Sequence, residues 1–112
     1  MGPLSDPSYA ARAESLLARL ETAVDGLADA FDIDVLRSGN VITLTFENDH
    51  RIVVNTQEAA AEIWVAARSG GFHYRWDDPA QRWTDTRTGE DLRIAVARLI
   101  GEETGTTPTL AL

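Results

Sequence analysis

The chain has 112 residues, of which 44% are hydrophobic and 25% charged, the size and balance of one soluble globular domain. It has no cysteine, which excludes disulfides, thiolate metal sites and a cysteine nucleophile. Ten arginines, no lysine and eighteen acidic residues give a formal net charge of −8. This charge argues against nucleic acid and anionic membranes as partners and favours basic proteins or metal cations. No apolar run approaches a membrane span and the start lacks a secretory pattern, so we expect a cytoplasmic protein.

The first predicted element is an amphipathic helix from about Asp6 to Phe31. Asp6 followed by Pro7 is a favourable N-cap and first-turn pair. Apolar residues recur every three or four positions along the segment, which is the period of a helix with one buried face. Acidic residues fall on a neighbouring arc of about 80° when each residue is placed ~100° from the last. The members of this arc are Glu14, Glu21, Asp25, Asp29 and Asp32.

After this helix the hydrophobic period changes to two, which indicates strands. Turn signals at residues 38–40 and 47–50 separate the first three strands and predict an antiparallel meander. Residues 57–68 are ambiguous, because Glu58–Glu62 favours a helix whereas Ile63–Val65 favours a strand. The predicted strands occupy about 32–36, 41–46, 51–55, 72–76 and 82–86, with a further one near 63–65 if that segment is extended.

A second amphipathic helix is predicted near the C-terminus. Thr88 with Asp91 three residues later resembles a capping box, and an apolar stripe then runs to Ile100 before Gly101. We expect an α+β fold in which both helices pack on one face of an antiparallel sheet of about five or six strands. The whole chain, 1–112, is expected to form a single domain with a disordered start at 1–5 and a tail at 104–112. Leu110 and Leu112 would fill the groove between the helices.

The sequence offers no catalytic arrangement. His50 and His73 have neither metal-ligand spacing nor a nucleophile partner, and His73 is expected to be a surface residue of a strand. Asp77 and Asp78, beside Pro79, are typical of a turn rather than of a general acid and base. We therefore predict that the protein is not an enzyme.

Two features admit both a structural and a functional interpretation. The acidic arc is either a solvated helix face or a weak site for hard cations that also attracts basic proteins. Apart from arginines off to the side, its acids have no basic residue four positions away, and like charges at this spacing destabilise a helix by a few tenths of a kcal/mol each. Trp64 is either a core residue of a helix or, in a strand, an exposed aromatic residue on the uncovered face of the sheet, opposite Ile63 and Val65.

Six short motifs follow one another along the chain: DID (Asp32–Asp34), TLTFEN (Thr43–Asn48), NTQE (Asn55–Glu58), IWVA (Ile63–Ala66), GGFHYRW (Gly70–Trp76) and RWTDTRTGE (Arg82–Glu90). In their order and spacing these motifs resemble the frataxin family, especially its bacterial CyaY branch. The resemblance spans about 90 of the 112 residues when both helices are counted. Two positions depart from the family pattern, Ala59 where Pro is usual and Glu62 where Gln is common.

The resemblance implies a function in iron–sulfur cluster assembly. It implies weak binding of Fe2+ and Fe3+, no organic cofactor, and contacts with a cysteine desulfurase and an iron–sulfur scaffold protein. A monomer is expected, with an iron-dependent oligomer as the alternative state. The implied metal ligands are Glu14, Glu21, Asp25, Asp29, Asp32 and Asp34. The implied partner-binding residues are Asn55, Gln57, Trp64 and His73.

On this basis we expect an iron-binding accessory protein that modulates the desulfurase, which itself performs the chemistry. One alternative is a ferroxidase or iron-storage protein, although such a protein needs a closely spaced di-iron centre and the helix has no E-x-x-H motif. The other alternative is an acidic protein-interaction module that never meets metal.

Overall fold

The computed structural model describes residues 7–110, so the expected disordered start at 1–5, the proposed cap Asp6 and the tail residue Leu112 lie outside the described residues. The order of elements is the predicted one, helix, meander, helix. The helices are α1 (Pro7–Asp25), α2 (Ala28–Phe31) and α3 (Leu92–Thr104). The strands are β1 (Asp34–Ser38), β2 (Val41–Thr45), β3 (Arg51–Gln57), β4 (Glu62–Ala67), β5 (Gly70–Asp77) and β6 (Arg82–Asp85).

The six strands form one antiparallel sheet in sequence order, with β1 and β6 at its edges. Side chains alternate between the two faces, so one face carries the core and the other is open. The inner face packs against apolar residues of α1 and α3. Its fully buried strand residues are Ile42, Leu44, Ile52, Val54, Ile63, Val65 and Tyr74. This confirms the two-layer α+β prediction. Within residues 7–110 no helix is both long and apolar enough to cross a membrane.

The first helix is shorter than predicted, because the chain leaves it at Gly26. Glycine lowers helix stability, and the amide of Leu27 bonds to the carbonyl of Val24 instead of continuing the helical pattern. The short helix α2 follows and ends at Asp32, which has a left-handed backbone (φ 54°). The single acidic arc predicted from helical spacing is therefore wrong beyond residue 25.

The last helix also differs from its predicted limits at both ends. Its N-cap is Asp91, whose carboxylate accepts the backbone N–H of Arg93, whereas the Thr88 hydroxyl only accepts the N–H of Glu90. The helix passes through Gly101 and ends at Gly105, which takes a left-handed conformation (φ 83°). A side chain at Gly101 would collide with Thr107, so this glycine allows the tail to cross the helix.

The ambiguous segment 57–68 proves to be a loop followed by a strand. A single 3-10 turn, Glu58–Ala60, leads to Ala61 in a left-handed conformation, and β4 follows. Ile63 and Val65 are buried against the helices, which confirms that Trp64 lies in a strand and points to the opposite face of the sheet. Beyond α3 the described part of the tail brings Leu110 into the core, where it is 8% exposed.

Candidate functional site

The six acidic residues proposed as metal ligands divide into two groups. Arg37, on the inner face of β1, reaches α1 and donates to both carboxylate oxygens of Glu14 at 2.8 Å. The same guanidinium lies 3.6 Å from Glu21. This basic residue comes from β1, which passes beside α1, so the spacing of residues along the helix does not reveal it. Two like charges on the helix are partly neutralised by this arginine.

The other four acids, Asp25, Asp29, Asp32 and Asp34, form no ion pair with any described residue. All four are exposed. Three of them line a surface concavity of about 670 Å³ between α2, β1 and the β2–β3 turn. The turn adds two carboxylates to this concavity, from Glu47 and Asp49. We call the five acidic residues that line this concavity the acidic edge: Asp29, Asp32, Asp34, Glu47 and Asp49.

Sequence reasoning missed Glu47 and Asp49, because their pattern indicates only a turn. The register Asp34↔Thr45 brings the turn after Thr45 beside the start of β1. The available signal was the predicted turn at residues 38–40, because a hairpin there pairs the strands on either side of it. Across residues 7–110 no three acidic or histidine side chains are close enough together to form a ready-made metal site. The acidic edge can therefore attract a hydrated cation without enclosing it.

The four proposed partner-binding residues lie on the open face of the sheet. Cross-strand pairing places Asn55 beside Trp64 and Trp64 beside His73, and Gln57 follows two positions after Asn55 on the same face. Pairing also places Glu62 between Gln57 and Arg75. We call these six residues the sheet-face cluster: Asn55, Gln57, Glu62, Trp64, His73 and Arg75.

The Trp64 side chain is held in one orientation by its neighbours. Its indole stacks on the His73 ring, with centroids 4.4 Å apart and planes 7° from parallel. The indole N–H donates to Glu62 Oε1 at 2.8 Å, and Arg75 donates to Glu62 Oε2 at 2.6 Å. Trp64 is thus half-buried rather than fully exposed, and a preorganised aromatic side chain of this kind suits an interface.

Glu62 is the central residue of the sheet-face cluster, although its sequence context marks it only as a departure from the family pattern. Its side chain is 8% exposed. Such a buried carboxylate needs partners, which Trp64 and Arg75 supply, with His73 Nδ1 at 3.5 Å. The cross-strand pair Glu62↔Arg75 depends on the register of β4 and β5, which spacing alone did not define.

The second histidine has a structural environment. His50 Nδ1 lies 2.8 Å from Glu103 Oε1, and Asn48 donates to the same oxygen at 3.1 Å. Burial alone would raise the pKa of Glu103, but these hydrogen bonds and the charge of Arg68 lower the pKa below its ordinary value. The cluster ties the β2–β3 turn to α3. Asp77 and Asp78 serve the β5–β6 turn as predicted, accepting from Ala80 N and from the Trp76 indole.

Comparison with known proteins gives concordant results at the level of sequence. The model of the frataxin-like domain matches residues 2–106. The iron–sulfur cluster assembly protein CyaY of Ralstonia pickettii is 45% identical over 99% of this chain and 98% of its own length. The protein of the same name from Cupriavidus pinatubonensis is 46% identical over 92% of this chain and 93% of its own.

Solved structures show the same fold at lower identity. Frataxin from Psychromonas ingrahamii superposes with a TM-score of 0.83 and 23% identity, covering 94% of this chain and 96% of the other. Trimeric yeast frataxin complexed with ferrous iron superposes with a TM-score of 0.74 and 24% identity, covering 84% and 86%.

Proposed function

The chain belongs to the frataxin family, and we propose that it acts in iron–sulfur cluster assembly as an accessory protein. In this proposal it binds Fe2+ and Fe3+ weakly and modulates a cysteine desulfurase together with the scaffold protein. The persulfide chemistry belongs to the desulfurase, so this protein needs no catalytic residue of its own. The observation that carries the proposal is the pairing of an unneutralised acidic edge with an open sheet face that holds a fixed tryptophan.

The acidic edge is the proposed iron-binding site. Five carboxylates line one concavity, and no described basic residue forms an ion pair with Asp29, Asp32 or Asp34. Carboxylate oxygens are the ligands that hard cations prefer. Since the ligands are exposed and not arranged as a cage, we expect dissociation constants on the order of micromolar to millimolar. Glu14 and Glu21, which Arg37 engages, are expected to contribute less than the sequence suggested.

The sheet-face cluster is the proposed site for the desulfurase and the scaffold. Trp64 supplies a large, amphipathic contact surface that His73 and Glu62 already hold in place, so little side-chain entropy is lost on binding. Asn55 and Gln57 add amide donors and acceptors on the same face. The acidic edge would attract a basic partner surface over a longer range, an effect that salt screens.

Iron titration of the metal-free protein tests the iron site. In two-dimensional NMR spectra recorded anaerobically, Fe2+ should broaden the amide signals of residues 28–34 and 46–49. The variant Asp29→Asn/Asp32→Asn/Asp34→Asn should lose this broadening, and asparagine is chosen because it tolerates the left-handed backbone at position 32. A control, Glu58→Gln/Asp78→Asn/Glu102→Gln, makes the same change in net charge at exposed positions elsewhere and should retain it.

The same titration, together with measurements of partner affinity and of Fe2+ oxidation, distinguishes the proposed function from the ferroxidase and the metal-independent alternatives. Unchanged broadening in the triple aspartate variant would remove the metal assignment. If both variants lose broadening equally, the iron effect follows net charge alone. A partner complex that forms with equal affinity with and without iron, from a protein that also binds no iron alone, would indicate the metal-independent interaction module. Rapid oxidation of Fe2+ by the isolated protein would support the ferroxidase alternative instead.

A further inference from the structure

A groove lined by arginine lies near the edge of the sheet opposite the acidic edge. Arg12 and Arg19 come from α1, Arg82 from β6, and Arg93 from the first turn of α3. Together with Trp76 of β5 they line a cavity of about 430 Å³. We call this the arginine groove. It gathers four of the ten arginines of a chain whose net charge is −8, and neither the proposed iron site nor the sheet-face cluster uses it.

The positive charges of the arginine groove are only partly compensated. The buried carboxylate of Asp91 accepts bonds from Arg93, with a shortest distance of 2.7 Å, and lies 3.4 Å from Arg82. Asp91 therefore shares one negative charge between two guanidinium groups.

On the other wall, Arg12 lies 3.7 Å from Asp78, whose side chain is 73% exposed. The Arg19 guanidinium forms no ion pair or hydrogen bond with any other described residue. Four positive charges thus face two negative ones, and the groove retains an excess of about two.

The groove combines this charge with an aromatic and apolar floor. The Arg12 guanidinium lies 4.9 Å from the centroid of the Trp76 ring. This cation–π contact limits the movement of the guanidinium group. Trp76 in turn meets Trp83 edge-to-face at 5.7 Å, and Leu16 and Leu92 complete the floor. Guanidinium groups match carboxylate and phosphate oxygens bidentately, and the packed floor limits their movement.

We propose that the arginine groove binds a small polyanion that carries at least two phosphate or carboxylate groups. Its volume falls within the range of roughly 300–1,000 Å³ typical of small-molecule sites, whereas a flat protein interface would need no cavity. A ligand with at least two negative charges would neutralise the excess of two positive charges. Arg82 and Arg93, fixed by Asp91, would hold one anionic group, and Arg12 with Arg19 would hold the second.

The test uses the full-length, metal-free protein with pyrophosphate and with citrate as probes, which separates phosphate from carboxylate as the recognised group. Binding is followed by calorimetry and by the amide signals around residues 12–19 and 91–93. Arg12→Gln/Arg19→Gln should weaken binding at least about tenfold, since each arginine contributes a charge-assisted hydrogen bond. The matched control is Arg51→Gln/Arg87→Gln, two exposed arginines outside the groove with the same change in net charge. Melting temperatures of both variants are recorded, because Arg12 also packs on Trp76.

Binding of either probe that is lost in the groove variant and retained in the control supports the proposal. Equal weakening in both variants shows a response to bulk charge and overturns it, and so does an unchanged affinity of the groove variant. Absence of binding up to millimolar probe also overturns the proposal. Binding of a hexaglutamate peptide in the groove without binding of either small probe would overturn it as well, and would indicate an acidic protein segment instead.

Discussion

The two faces of β4 are organised by different kinds of interaction, although they are formed by consecutive residues. Ile63 points inward, is fully buried and belongs to the apolar core. Trp64 points outward, is half-buried and is held by a stack on His73 and a hydrogen bond to Glu62. The inner face is thus stabilised by burial, which is non-directional, whereas the outer face is organised by directional pairs. Stability and recognition can therefore be altered separately by substitutions one residue apart.

The strongest test of this difference is Ile63→Ala. The substitution leaves a cavity in the core, so the free energy of unfolding should fall by about 2–4 kcal/mol in urea titrations. Ile94→Ala is the matched control, since Ile94 is 59% exposed on α3. Its effect should stay within about 0.5 kcal/mol apart from the gain in helix propensity. An equally small loss for Ile63→Ala would mean that the inner face is not the core.

Trp64→Ala should reverse the order of effects. Loss of the stack and the indole hydrogen bond should lower the free energy of unfolding by only about 1 kcal/mol. Affinity for the desulfurase–scaffold complex should fall by about 2 kcal/mol or more, as for a central aromatic residue of an interface. Both quantities are measured on the same sample. Trp64→Phe, which retains an aromatic ring but has no N–H donor, should retain part of the affinity. A large loss of stability with unchanged affinity would contradict the assignment of the two faces.

The faces of the strands could be predicted from sequence because alternation has a period of two and needs no knowledge of register. Ile63, Val65 and Trp64 were therefore assigned correctly once the segment was taken as a strand. The end of α1 was missed because Val24, Leu27 and Phe31 keep helical spacing across Gly26. Spacing alone does not show that the chain leaves the helix there.

The pairs that organise the surface could not be predicted, because they join residues that are distant in sequence. Arg37 reaches Glu14 across 23 positions, and Arg75 reaches Glu62 across 13. Each pair depends on how strands register or pass beside a helix, which composition and periodicity do not specify. The acidic residues were thus identified by type, whereas their division into neutralised and free groups required the structure.

The tail extends the inner core beyond α3 and gives a smaller test of it. A variant ending at Gly105 removes Leu110, which is 8% exposed, and the contact of Thr107 with Gly101. We expect the free energy of unfolding to fall by about 1–3 kcal/mol. Leu110→Ala in the full chain should reproduce much of this loss, and Thr109→Ala, at an exposed position, should not. A melting temperature unaltered by the truncation would show that the tail adds no core.

The Glu103 cluster predicts a dependence of stability on pH. Because the pKa of Glu103 is lowered in the folded state relative to its ordinary value of 4.5, its ionised form stabilises the fold above that value. This contribution should be lost as the pH falls below 4.5 through the folded-state pKa. Glu103→Gln should lower the free energy of unfolding at neutral pH by about 1–2 kcal/mol. The variant should also lose less stability than the wild type as the pH falls below 4.5. The neighbouring Glu102→Gln is the control, since Glu102 is more exposed and, among residues 7–110, forms an ion pair with Arg98 alone. If the free energy of unfolding falls equally with pH in the wild type and in Glu103→Gln, Glu103 makes no such contribution.

The smallest expected effect on stability concerns the ion pair between Arg37 and Glu14. Arg37 is 19% exposed and donates to both oxygens of Glu14, so the pair is better ordered than most surface ion pairs. A double-mutant cycle of Arg37→Gln with Glu14→Gln should give a coupling energy of about 0.5–1 kcal/mol, decreasing with added salt. Removing Arg37 also leaves Glu14 and Glu21 without their shared cation. Iron broadening should then spread from residues 28–34 toward α1, because two further carboxylates become available. Broadening that stays confined to the acidic edge in Arg37→Gln would show that the helix acids do not take part in iron binding even when they are free.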